Sequence, residues 1–198
     1  MLWKRHLRSV HLLTRPTATH TCAVPASTPD GPPTAVATAT FSVPADAVWS
    51  YRLDFANLPE YNPDVSGVER VTDAAGDGVG GVCGTGARYA FRLADVRQPG
   101  VSHPVELWTV DAVQPTLVAA GMAGGSEAYE EFVVHPGEDG GCEAVLTLWV
   151  TLPDGLSEDT VAAASAGSLA QITKELRLMK KVLESRAAAP AGRDRGEI

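Results

Sequence analysis

Glu130 is the residue in this chain best placed for acid–base chemistry. Residues alternate along Glu127–His135, so Glu130 shares a face with Ala128, Phe132 and Val134. A carboxyl facing an apolar cavity loses water, its pKa rises, and it can hold or take up a proton near neutrality. The same alternation puts Glu127, Tyr129 and Glu131 outside, whereas a register error or a bulge would instead leave Glu130 solvated. Other patterns carry less chemistry. Gly76-Asp-Gly78-Val-Gly-Gly81 fits G-x-G-x-x-G, but a phosphate cradle needs a helix after the glycines, and Ala87–Leu93 alternates like a strand. A hairpin loop is the better reading. His103 and His135 each precede a proline, and no HxxxH or Cys/His cluster exists, so no metal is expected. Cys22, Cys83 and Cys142 are too few for a disulfide framework. They read as structural thiols rather than nucleophiles, and nothing demands an oxidising compartment, which makes a cytoplasmic location the expectation. No cofactor is implied.

The elements that must position Glu130 begin near Thr34. Residues 1–33 are rich in Thr, Pro, Ala and Ser and lack a lasting apolar period, so they read as a disordered N-terminal tail. Their basic start fits a targeting segment, but Val10–Leu13 is far too short for the apolar core of a signal peptide. Ala35–Val43 alternates as a first strand, stopped by Pro44. Ala45–Ala56 has helical spacing through Val48, Tyr51 or Arg52, and Phe55, and Leu58–Tyr61 is a second short helix between prolines. Six strand-like runs follow at about ten-residue spacing: Val65–Thr72, Ala87–Val96, Val105–Ala112, Leu117–Met122, Glu127–His135 and Glu143–Leu152. The period then changes. Ser157–Arg186 carries a stripe at Val161, Ser165 or Ala164, Leu169, Ile172, Leu176, Met179 and Leu183, that of one amphipathic helix about 42 Å long. Residues 188–198 read as a second tail.

Charge follows this division. Of the net −8 in 198 residues, Met1–Pro33 carries +3, Asp46–Asp159 carries −14 and Thr160–Arg186 carries +3. An acidic body argues against nucleic acid as a partner. No run of about 18 apolar residues exists, so no membrane span is expected.

The opening Phe41-Ser-Val-Pro-Ala-Asp-Ala-Val-Trp49, the segment Asp54-Phe-Ala-Asn-Leu-Pro-Glu-Tyr-Asn-Pro63 and the strand start Val65-Ser-Gly-Val-Glu69 resemble the SRPBCC superfamily, which includes START, Bet v 1 and polyketide cyclase/dehydrase-like proteins. The run Cys142–Leu152 and the helix Leu169-Ala-Gln-Ile-Thr-Lys-Glu-Leu176 fit the same pattern, with Tyr61 standing where a Trp is commoner. The resemblance covers residues 34–187. It implies an α+β helix-grip (Bet v 1-like) fold, with a curved antiparallel sheet of six to seven strands wrapped around a long C-terminal helix and two short helices after the first strand. It also implies ligands such as lipids, sterols and polyketides.

A sheet that grips a helix leaves its core open at one end, and apolar walls with a few polar groups then suit a hydrophobic small molecule. With only 6% aromatic residues, the core has few large rings to fill that space. Expected pocket and rim residues are Trp49, Phe55, Tyr61, Asn62, Tyr89, Phe91, Trp108, Phe132, Leu148, Ile172, Leu176 and Met179, each of which could equally be plain core packing. Three functions fit. The first is binding of a hydrophobic or aromatic small molecule. The second is polyketide cyclase- or dehydratase-like chemistry using Glu130, Tyr61, Asn62 and Arg88, although arginines at Arg88 and Arg92 more often face solvent. The third is a protein-interaction module that docks an acidic partner on Lys174, Arg177, Lys180 and Lys181, where a solvated helix face explains the same charges. The oligomeric state is left open.

Overall fold

A computed structural model describes residue 29 and residues 31–72, 85–95, 98–123 and 126–189. The Gly76–Gly81 run, Cys22, Cys83 and most of the two expected tails lie outside the described residues. Seven strands form one antiparallel sheet: β1 (Ala35–Phe41), β2 (Val65–Thr72), β3 (Arg88–Ala94), β4 (Ser102–Val113), β5 (Thr116–Ala123), β6 (Ser126–Pro136) and β7 (Cys142–Val150). Their spatial order is β1-β7-β6-β5-β4-β3-β2. Strands β2 to β7 therefore form a meander, and β1 closes the far edge by pairing with β7 in the register Ala37↔Leu146. This is the expected helix-grip architecture.

The short helices are set by local stops. Helix α1 (Ala45–Leu53) starts after Pro44, whose fixed φ suits a helix entrance, and has Asp46 in its first turn. It ends at extended Asp54, whose carboxylate accepts from the Ala56 N–H at 3.0 Å and starts a single 3₁₀ turn, Phe55–Asn57. The expected helix to Ala56 is thus split in two at Asp54. Asn57 Nδ2 donates to the Tyr51 carbonyl left over at the end of α1. Helix α2 (Leu58–Tyr61) follows at once.

Helix α3 (Glu158–Ala188) is capped by Ser157, whose Oγ accepts from the Thr160 N–H. Its buried residues are Ile172, Leu176, Met179 and Leu183, at spacings of four and three. The expected stripe also included Val161 and Leu169, but these are 40% and 45% exposed. Length explains the difference. The helix has 31 residues, about 46 Å, whereas β1, against which it packs, has 7, about 23 Å. The first half of α3 overhangs the sheet.

The core lies between α3, the short helices and the inner face of the sheet. Leu117, Phe132 and Leu146 sit side by side across β5, β6 and β7 and are fully buried, in one cluster with Phe41, Val48, Phe55 and Met179. One loop approaches this frame closely. At Gly141, a Cβ would come within 2.5 Å of the Phe41 carbonyl oxygen, so β7 can begin beside the end of β1 only without a side chain there. No described helix is long and apolar enough to cross a membrane.

Leu146→Ala should lower the unfolding free energy by about 2–5 kcal/mol in denaturant melts, as buried leucines do when truncated. Val113→Ser, at a strand position 67% exposed, should stay within about 0.5 kcal/mol of the parent.

Candidate functional site

Arg52 is the centre of the site. Val48, Arg52 and Phe55 fall at spacings of four and three, so the inward face of α1 carries a guanidinium between two apolar side chains. Arg52 is 2% exposed. One terminal nitrogen, Nη2, donates to Glu130 Oε1 at 2.7 Å, and the other, Nη1, donates to the Tyr61 hydroxyl at 2.8 Å. Nη1 also lies 3.8 Å from Glu175 Oε2. The guanidinium packs over the rings of Phe55, Tyr61 and Phe132 at 5.3, 5.4 and 5.8 Å, which adds cation–π attraction on desolvated faces.

Each partner comes from a different element. Glu130 sits in β6 opposite Ala119 of β5 and Leu148 of β7, on the inner face with Phe132. Glu175 occupies α3 between Ile172 and Leu176, on the inward side of the helix. Its Oε1 accepts from Asn62 Nδ2 at 2.7 Å and from Gln171 Nε2 at 3.2 Å. Asn62 ends α2, and its Oδ1 accepts the Asp64 N–H, which orients the amide towards Glu175. Two further ion pairs tie α3 to this region: Lys174 with Asp64 at 3.0 Å and Arg186 with Glu60 at 2.6 Å.

The electrostatics follow from burial. Desolvation opposes the charge on Arg52, but Glu130, Tyr61 and Glu175 outweigh it and hold the guanidinium firmly protonated. Burial pushes the Glu175 carboxyl up; Arg52 pulls it down and Glu130 pushes it up again. The Tyr61 hydroxyl is also raised, first by burial, and stays neutral. One cation therefore faces two carboxyls, and Glu175 is the one that retains a proton more readily than a free glutamate.

This cluster forms one wall of a cavity of about 190 Å³. The remaining walls are mostly apolar. Phe55 and Leu58 close one side, Val65, Phe91 and Leu93 come from β2 and β3, and Val105, Leu107 and Leu148 come from β4 and β7. The floor is low because Ala119 and Gly121 of β5 and Ala128 of β6 carry almost no side chain. Small residues in the middle of the sheet thus leave the space that larger ones would fill.

The expected site residues distribute as follows. Phe55, Asn62, Phe91, Glu130 and Leu148 line the cavity. Tyr61, Leu176 and Met179 line a smaller hollow behind Arg52 and Glu175. Phe132 and Ile172 are buried core, and Tyr89 packs edge-on against Phe55 at 5.5 Å. Trp49 is half-buried against the core and does not line the cavity. Trp108 is turned away from it: strand alternation directs Val105 and Leu107 inward and leaves Trp108 on the outer face, opposite Arg88 and Ala120. Arg88 is likewise outside, paired with Glu106 at 2.8 Å and half exposed, so it does not reach the cavity. His103 pairs with Asp95 at the surface, and Cys142 is a buried free thiol. Among the described residues no cluster of His, Cys, Asp or Glu side chains could hold a metal ion. Of the basic residues on α3, Lys174 and Lys180 already face Asp64 and Glu184.

Two residues central to the site, Arg52 and Glu175, were not singled out by the sequence reading. The signal was present: each occupies an inward position of an amphipathic helix, where an unpaired charge is too costly to be accidental.

A raised carboxyl makes stability fall as pH rises. Below the unfolded-state value of about 4.3 both states hold the proton, and above it only the folded state keeps it, until the folded value is passed. Glu175→Gln removes this dependence. The variant should melt with the parent near pH 4 and increasingly above it as the pH rises, until the folded value is passed; a constant gap in Tm would show that Glu175 is not perturbed.

A family model described as polyketide cyclase / dehydrase and lipid transport matches residues 32–184. Among solved structures, the chain is similar to the Zhui aromatase/cyclase from Streptomyces sp. R1128, with 16% identity and a TM-score of 0.58 over 79% of this chain and 96% of that one. It is similar to a START superfamily protein from Mycobacterium smegmatis, with 17% identity and a TM-score of 0.58 over 76% and 97%. It is also similar to Ara h 8.0201, with 15% identity and a TM-score of 0.55 over 76% and 96%. At such identities these likenesses show the fold alone. No match was found among curated proteins. The gripped helix, the open apolar core and the family match over most of the chain agree: this protein belongs to the polyketide cyclase / dehydrase and lipid transport family of the SRPBCC superfamily.

Proposed function

We propose that the protein binds a hydrophobic small molecule, lipid- or polyketide-like, with an apolar ring-sized part inside the cavity and a polar group at the Arg52–Glu130–Glu175 wall. The observation that carries this reading is an apolar-walled space of about 190 Å³ with its polar groups gathered on one side. For comparison, a dry cavity of about 150 Å³ takes up benzene. Burying about 150 Å² of ring surface contributes roughly 4 kcal/mol, enough for millimolar binding and no more. Tighter binding needs a hydrogen bond at the polar wall or an apolar tail that extends through the mouth.

A second reading, a polyketide cyclase-like enzyme, is favoured by one feature. Burial makes Glu175 hold its proton more readily than a free glutamate, and a second carboxyl, Glu130, lies in the same wall. In such a reaction the Glu175 carboxyl would donate to a ligand carbonyl oxygen, and a carboxylate would accept the proton from the adjacent carbon. The cavity would supply the folding of the chain. The two readings separate on turnover. A protein that binds a short poly-β-ketone and returns it unchanged is a binder, and one whose cyclisation rate falls about a hundredfold in Glu175→Gln is an enzyme.

Native mass spectrometry of freshly purified protein should detect a co-purified small molecule, and the neutral fluorophore N-phenyl-1-naphthylamine should bind. Ala128→Phe fills the floor and should weaken that binding about tenfold or more while the protein remains folded by circular dichroism. Equal fluorophore binding by parent and variant would move the ligand out of this cavity.

A further inference from the structure

We propose that the cavity selects ligands whose polar head donates a hydrogen bond, a hydroxyl or an amine, and rejects those whose head is an acid. The inference rests on the binding reading above and adds the chemistry of the head group.

The argument is a count of charges and unused acceptors. Arg52 is the one cation among the described residues lining the cavity, and each of its Nη atoms gives one N–H, to Glu130 and to Tyr61. Its Nε is buried and makes no hydrogen bond. Against this single positive charge stand two carboxyls. Glu130 uses Oε1 on Arg52, and Oε2 accepts no hydrogen bond among the described residues. Glu175 uses Oε1 on Asn62 and Gln171, and its Oε2 has only the guanidinium nitrogen 3.8 Å away. Glu130 Oε2 is therefore short of a donor, and Glu175 Oε2 becomes so once that carboxyl ionises. Lys174, the nearest α3 lysine in sequence, is spent on Asp64.

A ligand hydroxyl supplies the missing donor without adding charge. An ammonium does more. Glu175, whose carboxyl is pushed up by burial, can give its proton to solvent when a cation arrives. Arg52 and the ammonium then balance Glu130 and Glu175. No comparable adjustment is open to a carboxylate or sulfonate. It would add negative charge to a desolvated wall whose cation is already paired, and like charges there repel strongly.

The test is a set of matched ligands: naphthalene, 2-naphthol, 2-(aminomethyl)naphthalene and 2-naphthoate at pH 7. Their affinities can be read by displacement of N-phenyl-1-naphthylamine. Relative to naphthalene, the alcohol and the ammonium should bind about tenfold tighter and the acid about tenfold weaker, the scale of one charge-assisted hydrogen bond gained or one repulsion incurred. Naphthoate binding as tightly as naphthalene would overturn the head-group selection while leaving the cavity reading intact. Failure of all four ligands, together with the fluorophore, would overturn the cavity reading itself. Glu175→Gln supplies a second readout. It should abolish the ammonium's advantage and leave that of the alcohol within about threefold, since a glutamine still accepts a hydrogen bond but cannot ionise. An ammonium preference unchanged in this variant would overturn the assignment of Glu175.

Discussion

The guanidinium of Arg52 is the constraint on which the rest of the site depends. A charge that is 2% exposed must be paired where it lies. Its partners arrive from α2, β6 and α3, and it starts from α1. Helices α1 and α2 are neighbours in the chain, but β6 and α3 lie far from them in sequence, and all four share one point in space. Pairing here costs desolvation of every charged member, which is set against the Coulombic gain. The cluster is therefore weak evidence for stability and stronger evidence for specification: α1 and α2 can sit over the sheet in one orientation without stranding a charge.

The cavity is the second consequence. Helix α3 is held over the sheet through Glu175, Lys174 and Arg186, while β5 and β6 present Ala119, Gly121 and Ala128 beneath it. Phe132 and Leu117 on neighbouring positions fill their share of the core. The space ends where these larger side chains begin. Packing and electrostatics thus meet at one boundary. On one side the core is full, on the other it is open, and the charged cluster stands between them.

The architecture was largely legible in the sequence, because periodicity encodes it directly. The switch from alternation in Glu127–His135 to three-and-four spacing after Ser157 marks sheet and helix, and Pro44 and Ser157 mark two entrances. Glu130 was legible because alternation puts it on one face with the apolar Ala128, Phe132 and Val134. Trp108 shows the limit. Alternation within one strand gives two faces but does not say which one is inner, and the pairing of Leu107 with Tyr89 and Gly121 decides it. Arg52 and Glu175 were hidden differently. A charge on an apolar helix face has meaning only once its partner is known, and theirs lie 78 and 123 positions apart along the chain from each other's element. The overhang of α3 was also out of reach, because it depends on how many residues of β1 face the helix and not on the helix sequence.

A double-mutant cycle on Arg52 and Glu130, read by denaturant unfolding, tests the central claim most directly. Arg52→Met and Glu130→Leu should each destabilise by about 3 kcal/mol, because each leaves a buried charge without its partner. The pair together should cost no more than either alone, giving a coupling of about 3 kcal/mol. Additive losses, with coupling within about 0.5 kcal/mol, would contradict the account: Arg52 and Glu130 would then be independent surface-like groups, and the cavity would lack the fixed polar wall on which its chemistry rests.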